Sequence, residues 1–401
     1  MGQNTDALCD GSRKILDSVP GIINKTFPIP ERFKSKLPSD IAELSRLLTN
    51  KRGSRSLSYL TRPNFLSAYL HYFLPWNLYR LCLLLPVIKL NLNSGDIITD
   101  LGCGPLTFTS ALWISHPELR NLPLEFNCID RCGPTLDAGK KFFHALTASD
   151  KNSPCAWKIN AIKEDIDIRR LKTPQKRKQA TLVCAVNIFN EIYDNIPHSD
   201  TEGLRQMSAN AAKLMHNEAA KNASILTVEP GVPQSGKFIS FLRDAFLDLG
   251  RTPVSPCTHT SACPFINRHT KIIKGRNWID TKKRWCHFGF ETYDAPKQLR
   301  DLSKAAKLPK DRLVFSYLFT GASKKENGNG GARVISDAFP LPNNLYGRYG
   351  CSGNGLILVT GNRERIDELN PLSHIPQNKL VEFSANNQYD EKSGALIKGI
   401  K

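Results

Sequence analysis

The chain has 401 residues, of which 40% are hydrophobic and 23% are charged, as in an ordinary globular protein. Its formal charge of +18 favours a polyanionic partner, RNA or DNA, over an acidic small molecule, with a basic protein that has no such partner as the alternative. The chain has eleven cysteines, an odd number, and no signal-peptide core, which argues against a disulfide framework and predicts a reducing cytoplasm. It also has no apolar run of membrane length, which argues against a membrane span.

The first 90 residues predict a helical region. Residues 1–35 mix scattered charges with prolines, so we expect them to be poorly ordered. A helix is predicted to begin at Ser39 and Asp40, and residues 64–90 predict two further helices that are divided near Pro75. These aromatic and leucine-rich helices are expected to pack as a cap on the domain that follows.

A strand, a glycine turn and a helix follow, and they predict the first unit of a nucleotide-binding α/β sheet. The apolar run at 97–98 leads into Asp100-Leu101-Gly102-Cys103-Gly104-Pro105-Leu106-Thr107, and a helical pattern leads out over 108–114. Glycines let the backbone approach a ligand closely, and a helix N-terminus adds favourable amide dipoles. Leu106 stands where a third glycine is usual, which adds bulk near the ligand.

Four more short apolar runs, each followed by a helical pattern, predict buried parallel strands with crossover helices. They are residues 124–129, 156–162, 181–186 and 223–228, and two later runs at 313–319 and 355–359 are predicted to close the same sheet. Polar residues lie at the strand ends. An acidic residue at the end of the second strand can accept hydrogen bonds from both ribose hydroxyls of a nucleoside. The predicted cofactor-binding residues are Asp100, Gly102, Gly104, Asp130, Asp165 and Asn187.

The pattern predicts a nucleoside without identifying it. No P-loop is present, so ATP hydrolysis is disfavoured, whereas S-adenosylmethionine and NAD both fit, and an empty Rossmann-like sheet is the alternative. The fourth strand runs into Asn187-Ile188-Phe189-Asn190-Glu191, which is not the Asn-Pro-Pro-aromatic element that grips an amine. Glu191 reads as an acid at a helix start, and no catalytic residue is assigned.

Four cysteines lie in irregular sequence after the fifth strand and predict a metal site. Cys257 and Cys263 have C-x5-C spacing, Cys286 follows Trp285, and Cys351 lies between glycines. Four thiolates bind Zn(II) or a [4Fe-4S] cluster, and the long spacing favours the cluster without excluding zinc or unliganded thiols. Between Cys263 and Cys286 lies a basic run that is predicted to contact RNA phosphates, or else to be a solvated charge run. Its members are Arg268, Lys271, Lys274, Arg276, Lys282, Lys283 and Arg284.

With these motifs the chain resembles, over residues 56–361, the methyltransferase-like small-ribosomal-subunit proteins known from mitochondrial ribosome assembly. The resemblance rests on the glycine turn, Asn190-Glu191, Glu229-Pro230-Gly231, and four further segments. Those segments are Pro256-Cys257 with His259, Cys263-Pro264, Trp285-Cys286-His287-Phe288 and Phe315-Ser316-Tyr317-Leu318.

The resemblance implies a class I S-adenosylmethionine-dependent methyltransferase fold, with a Rossmann-like sheet and a [4Fe-4S] cluster on Cys257, Cys263, Cys286 and Cys351. It also implies binding of small-subunit rRNA in ribosome assembly or translation, in a family in which several members have lost methyl transfer. No mitochondrial presequence is recognised, so the bacterial-type branch and a cytoplasmic location are expected. An active rRNA methyltransferase and a zinc-stabilised RNA-binding module are the alternatives.

The predicted organisation follows from these assignments. It comprises an N-terminal helical region (1–90), a cofactor-binding Rossmann-like domain (91–250), a cysteine-rich insertion with the basic loop (251–300), and closing strands with a small C-terminal β region (301–401). The expected partner is small-subunit rRNA. We expect a monomer that contacts neither membrane nor DNA.

Overall fold

The structure is a computed structural model, and it describes residues 8–49, 59–150, 155–168, 177–193, 196–266, 272–273, 276–277, 285–322, 331–369, 372–375, 388–390, 393 and 395–400. Its helices are α1 (Asp10–Thr26), α2 (Glu31–Lys34), α3 (Leu37–Thr49), α4 (Pro63–Ala68), α5 (Leu74–Leu84), α6 (Thr107–Ser115), α7 (Gly133–Ala148), α8 (Phe189–Ile192), α9 (Thr201–Glu218), α10 (Pro233–Asp248), α11 (Lys297–Ala305) and α12 (Arg363–Asp367). Its strands are β1 (Ile97–Leu101), β2 (Glu125–Asp130), β3 (Lys158–Lys163), β4 (Ala180–Val186), β5 (Ala219–Pro230), β6 (Thr252–Ser255), β7 (Ile272–Ile273), β8 (Arg276–Asn277), β9 (Phe288–Glu291), β10 (Arg312–Gly321), β11 (Ala332–Val334), β12 (Phe339–Pro340), β13 (Tyr346–Ser352), β14 (Gly355–Gly361), β15 (His374–Ile375) and β16 (Leu396–Gly399).

The main sheet has the order β3-β2-β1-β4-β5-β10-β6, and β9 pairs with β10 beyond the end of β6. Strands β1 to β5 are parallel, whereas β10 runs antiparallel to β5. The 3-2-1-4-5 order is that of a doubly wound nucleotide-binding fold, whose ligand site lies outside the carboxyl ends of the strands. This α/β fold with a mixed sheet fits the predicted class I methyltransferase fold.

The predicted strands of the α/β domain are confirmed, with ends that move by a few residues. The prediction that all of them are buried is wrong for β3, because β3 is the edge strand of the main sheet and its residues are exposed or half-buried. β4 is buried at all but one position and β2 is buried along its middle, as their continuous apolar runs indicate. β5 is longer than predicted because it extends back to Ala219 and forward to Pro230. Strands covered on both faces need apolar side chains at every position, so their runs stand out in the sequence.

One of the two predicted closing strands is wrong. Residues 313–319 do lie in the main sheet as part of β10, but residues 355–359 lie in β14, which belongs to a second sheet. That sheet has the order β15-β11-β13-β14-β16, and β12 pairs with β13. The main sheet is completed by β6 and β9, which are only four residues long and show no distinct run in the sequence.

The expectation that residues 1–35 are poorly ordered is wrong for the described part of this segment. Helix α1 buries Leu16, Val19 and Ile23 in the same core as β1 and β2. These positions share one helix face, but the polar residues and Pro20 between them hide the pattern. The predicted division near Pro75 is a change of helix type and not a break, since a π-helical segment at Tyr69–Phe73 joins α4 to α5 with helical backbone throughout.

None of the described helices combines the length and the apolar character that crossing a membrane requires. The N-terminal helices pack on the α/β domain and share one core with it, and α5 lies against α6. The four-part division of the chain stays a prediction.

Candidate functional site

A cavity opens at the carboxyl ends of β1, β2 and β4. All six predicted cofactor-binding residues line it, although they come from four separate segments of the chain. The position is the one that the sheet topology indicates. Their role in binding a cofactor stays a prediction.

Asp100 is the most unusual group in this cavity. It is 1% exposed, and neither of its carboxylate oxygens has a hydrogen-bond partner among the described residues. The neighbouring Cys184 thiol donates to the Thr99 carbonyl at 3.6 Å, and it also lies close enough to Asp100 to lower the pKa of that carboxyl. Burial raises the pKa of Asp100 to about 7. A buried carboxylate without donors costs free energy, so this position favours a ligand that brings positive charge or N–H groups.

Asp130 at the end of β2 fixes the glycine turn. Its two carboxylate oxygens accept hydrogen bonds from the backbone N–H groups of Gly104 (3.0 Å) and Cys132 (2.8 Å). Burial raises the pKa of Asp130, and these two donors oppose the rise. A carboxylate oxygen accepts more than one hydrogen bond, so the Asp130 carboxylate can also accept hydrogen bonds from ribose hydroxyls.

The glycine turn brings its backbone close to the cavity. Gly102 has φ +68°, and a Cβ there would lie 2.4 Å from a side-chain carbon of Ile188, so only glycine fits. Leu106 also has a left-handed backbone, but its fully buried side chain packs beside Gly139 of α7 and does not line the cavity. The bulk that the sequence suggested near the ligand therefore points away from it.

Leu106→Gly should consequently lower the stability of the protein without weakening its binding of the cofactor. Losing a buried leucine costs about 2–5 kcal/mol, and relief of the left-handed backbone returns about 1 kcal/mol. We expect a loss of about 2 kcal/mol in chemical denaturation, while S-adenosylmethionine affinity by calorimetry stays within about twofold. A tenfold loss of affinity would place Leu106 in the site after all.

The N-terminal helices supply one wall of the cavity, which sequence reasoning missed. Tyr59, Tyr69 and Asn77 line it, and the Tyr59 hydroxyl donates to Glu191 at 3.1 Å across the cavity mouth. Glu191 also pairs with Arg131 at 3.4 Å. Because these contacts join residues that are far apart in the chain, no local motif marks them.

A polar network joins this wall to the ends of β4 and β5. Asn77 accepts from Arg80 at 3.0 Å and from the Asn187 amide at 3.5 Å. The carbonyl oxygen of the Asn187 side chain is buried without a partner among the described residues. Glu229 is fully buried and accepts from the backbone N–H groups of residues 189 and 190, and burial raises its pKa to about 8. The network therefore leaves one acceptor, on Asn187, for a ligand.

The four predicted metal-binding cysteines lie near one another at a second site, away from the cavity, near β6, β9 and β13. Cys257 follows β6, Cys263 ends the next loop, Cys286 precedes β9, and Cys351 lies in β13 of the second sheet. Burial raises the pKa of Cys263 to about 11 and that of Cys286 and Cys351 well above the ordinary range, and the neighbouring thiols raise each value further. His259 lies between them, with its Nε2 3.4 Å from the Cys351 sulfur.

The described side chains do not form a site for a single metal ion as they stand. A tetrahedral Zn(II) site needs Zn–S bonds of about 2.3 Å, which sets the sulfurs about 3.8 Å apart. A [4Fe-4S] cluster binds each thiolate to a different iron, so its ligands lie farther apart. The cysteine-rich insertion, the cluster and zinc therefore stay predictions.

The predicted RNA-binding residues lie outside what the structure describes. Arg268, Lys271, Lys274, Lys282, Lys283 and Arg284 are not among the described residues, and only the backbone of Arg276 is, in β8. The basic run stays a prediction. Next to it, the Trp285 indole donates to the Gly231 carbonyl at 3.0 Å, which joins the cysteine site to the end of β5.

Residues 154–339 match the model of a family described as mitochondrial small ribosomal subunit Rsm22. The matched segment is slightly under half of the chain, and it includes Cys257, Cys263 and Cys286 but neither the glycine turn nor Cys351. No functionally curated protein gives a significant match.

Solved structures similar to this chain include three methyltransferase-related proteins, all at low identity. A putative class I S-adenosylmethionine-dependent methyltransferase from Listeria monocytogenes is 9% identical, covers 78% of this chain and 87% of its own, and has a TM-score of 0.35. NSun6 from Pyrococcus horikoshii is 9% identical, with 62% and 52% covered and a TM-score of 0.35. A putative RNA methyltransferase from Pyrococcus horikoshii is 11% identical, with 62% and 83% covered and a TM-score of 0.28. The chain spans about half of the NSun6 chain.

Proposed function

We propose that this chain is an S-adenosylmethionine-binding factor that binds small-subunit rRNA and supports ribosome assembly or translation without needing methyl transfer. The observation that carries the ribosomal part is the match of residues 154–339 to a small-ribosomal-subunit family. The net charge of +18 supports a nucleic-acid partner. The family description is mitochondrial, so the bacterial-type branch and the cytoplasmic location stay predictions, as does the monomeric state.

The cofactor part of the proposal rests on the cavity. Its buried carboxylate, Asp100, accepts no hydrogen bond from the residues that the structure describes, and S-adenosylmethionine carries an ammonium and a sulfonium group. Asp130 at the end of β2 would accept hydrogen bonds from the ribose hydroxyls, and the backbone at Gly102 and Gly104 allows the cofactor to approach closely. Asp165, which follows β3, and Asn187, which follows β4, also line the cavity. NAD is less well matched, because it brings no cation to Asp100 beyond its nicotinamide ring.

The metal part of the proposal rests on the four cysteines. Cys257, Cys263, Cys286 and Cys351 would hold a [4Fe-4S] cluster, which supplies a rigid anionic centre that ties the loop after β6 to β9 and β13. The thiols lie close enough to raise one another's pKa, which supports one shared centre, and the C-x5-C spacing favours a cluster over zinc. The basic run that begins five residues after Cys263 would then be presented as an ordered loop for RNA phosphates.

One experiment tests the function as a whole. The full chain is incubated with tritiated S-adenosylmethionine and small-subunit rRNA, and cofactor binding, salt-dependent RNA binding and methyl incorporation are measured together. We expect saturable binding of both ligands. The Asp130→Ala variant gives the background for methyl incorporation, and we expect the wild type not to exceed it. Incorporation that Asp130→Ala abolishes would establish the rRNA methyltransferase instead. A protein that binds RNA and stoichiometric zinc but no cofactor would establish the zinc-stabilised module.

Asp100 makes cofactor binding depend on pH. The pKa of about 7 leaves this carboxyl partly protonated near neutrality, and a cationic ligand favours its ionised form. We expect affinity to rise between about pH 6 and 8, with proton release on binding, and to be weaker and flatter in Asp100→Asn. Calorimetry in two buffers of different ionisation enthalpy measures both effects. Equal pH profiles for the two proteins would remove Asp100 from the cofactor site.

The stability of the cofactor-free protein should depend on pH in the opposite direction. The folded-state pKa of Asp100 is raised above its ordinary value of 3.8, so folding favours the protonated form. Its contribution is fully present below about pH 3.8 and is lost as the pH rises through about 7. Asp100→Asn should therefore gain stability relative to the wild type above neutrality.

A further inference from the structure

Arg243 of α10 is a buried cation at the edge of the four-cysteine site. It is 2% exposed, and its Nη2 donates to the carbonyls of His259 (2.9 Å) and Ser261 (2.7 Å). Both carbonyls belong to the loop between Cys257 and Cys263. Its Nη1 pairs with Asp244 at 3.0 Å, while its Nε is buried without a hydrogen-bond partner among the described residues. The Arg243 guanidinium therefore fixes the Cys257–Cys263 loop through two carbonyls, and its Nε–H donates to no described residue.

The charge of Arg243 acts on the whole cysteine site. Burial by itself would lower the pKa of Arg243, but the neighbouring Cys257, Cys263 and Asp244 together outweigh it, so that pKa is raised. In the other direction, burial raises the pKa of Cys263, Cys286 and Cys351, and Arg243 opposes the rise in all three. Its charge is thus felt on both loops and on β13. Arg333 adds a second cation near Cys286, where it donates to the Pro256 carbonyl at 3.0 Å.

A metal centre with four thiolates is an anion. Zn(II) with four thiolates and an oxidised [4Fe-4S] cluster with four thiolates both carry a net charge of about −2. Burying such a charge is costly unless a cation and N–H donors compensate it. Outer residues of this kind orient the ligands and tune the metal.

We infer that Arg243 is a positioning residue for this metal centre, holding the Cys257–Cys263 loop through two carbonyls and compensating the charge of the four thiolates. Its spare Nε–H is the donor left for a sulfur atom. The inference rests on the metal centre of the proposed function. Arg243 lies outside the cofactor cavity, so it has no role in binding S-adenosylmethionine.

The test compares Arg243→Gln and Arg243→Lys with Arg251→Gln in the full chain, isolated anaerobically. Arg251 is a matched control, because it is 3% exposed and donates to the carbonyls of Ala220 and Ala223, away from the cysteines. Iron, sulfide and zinc per folded chain are measured, together with the half-life of the metal against a chelator. For the iron form, the midpoint potential is titrated by electron paramagnetic resonance.

Arg243→Gln should lose its metal at least about tenfold faster than the wild type, and Arg243→Lys should recover much of the difference because it keeps the charge. A nearby cation favours the reduced, more negative cluster, so Arg243→Gln should also be about tenfold harder to reduce, a shift of about −59 mV for one electron. Arg251→Gln should lose stability but keep the wild-type half-life and potential.

Three results would overturn the inference. They are a wild type without bound metal, equal metal half-lives in Arg243→Gln and Arg251→Gln, and an Arg243→Lys variant that behaves like Arg243→Gln. S-adenosylmethionine affinity, measured on the same samples, separates this outcome from failure of the proposed function. If the wild type binds the cofactor and rRNA while the Arg243 variants keep their metal, only the role of Arg243 fails. If the wild type binds no cofactor, the proposed function fails whatever the metal does.

Discussion

Asp130→Ala should weaken S-adenosylmethionine binding by on the order of 100-fold. Two hydrogen bonds from ribose hydroxyls to a charged acceptor contribute about 3 kcal/mol together at the lower end of the usual range. The same carboxylate holds the N–H groups of Gly104 and Cys132, so its loss also releases the turn that approaches the cofactor. Both effects act in the same direction.

Calorimetry on the full chain measures this loss, and circular dichroism checks that the variant is folded. Asp137→Ala is the control, because Asp137 lies on α7, is exposed, pairs with Lys140 at 2.9 Å and does not line the cavity. Its affinity should match the wild type. Asp130→Asn keeps one acceptor and should fall between the two. An Asp130→Ala variant that binds within threefold of the wild type would contradict the ribose role.

Cys257→Ser should remove the bound metal almost completely. A four-thiolate site that loses one ligand loses much of its binding free energy, and metal bound only by the folded state stabilises that state. We expect iron and sulfide per chain to fall at least about fivefold and the unfolding temperature to fall by about 5 °C or more. Elemental analysis after anaerobic purification and differential scanning calorimetry measure the two effects.

Cys184→Ser is the matched control for this loss. Cys184 is fully buried in β4, where its thiol donates to the Thr99 carbonyl, and it takes no part in the four-cysteine site. Its replacement should cost about 1 kcal/mol of stability and leave the metal content unchanged. Equal metal loss in the two variants would refute the division of the cysteines into ligands and buried thiols. Stoichiometric zinc without iron in the wild type would replace the cluster by zinc.

Much of the α/β sheet could be predicted because each strand carries its own signal. The apolar runs of β1, β2, β4 and β5 stand out in the sequence, and parallel strands with crossover helices have few possible arrangements. The same rule places Asp100, Asp130 and Asn187 at one edge of the sheet, where the cavity lies. The candidate cofactor site therefore follows from local patterns combined with topology.

The short edge strands and the N-terminal wall could not be predicted in this way. β6 and β9 have only four residues each, and their pairing with β10 depends on packing between distant segments. Nothing near Tyr59 or Asn77 in the sequence indicates that these residues face a cavity built by β1, β2 and β4. The side-chain direction of Leu106 was equally hidden, because a left-handed residue in a turn can point to either side of it.

The sequence by itself determines where the parallel strands of the α/β domain lie along the chain, the glycine turn, the acid at the end of β2 and the four cysteines of the candidate metal site. These features depend on residue type and spacing along the chain. Only the tertiary structure decides that Asp100 is buried without a hydrogen-bond donor among the described residues, that segments from the first 90 residues line the cavity, and that Arg243 lies beside the thiols. The physical reason is that burial and electrostatic environment are set by groups far away in sequence, which meet only when the core packs.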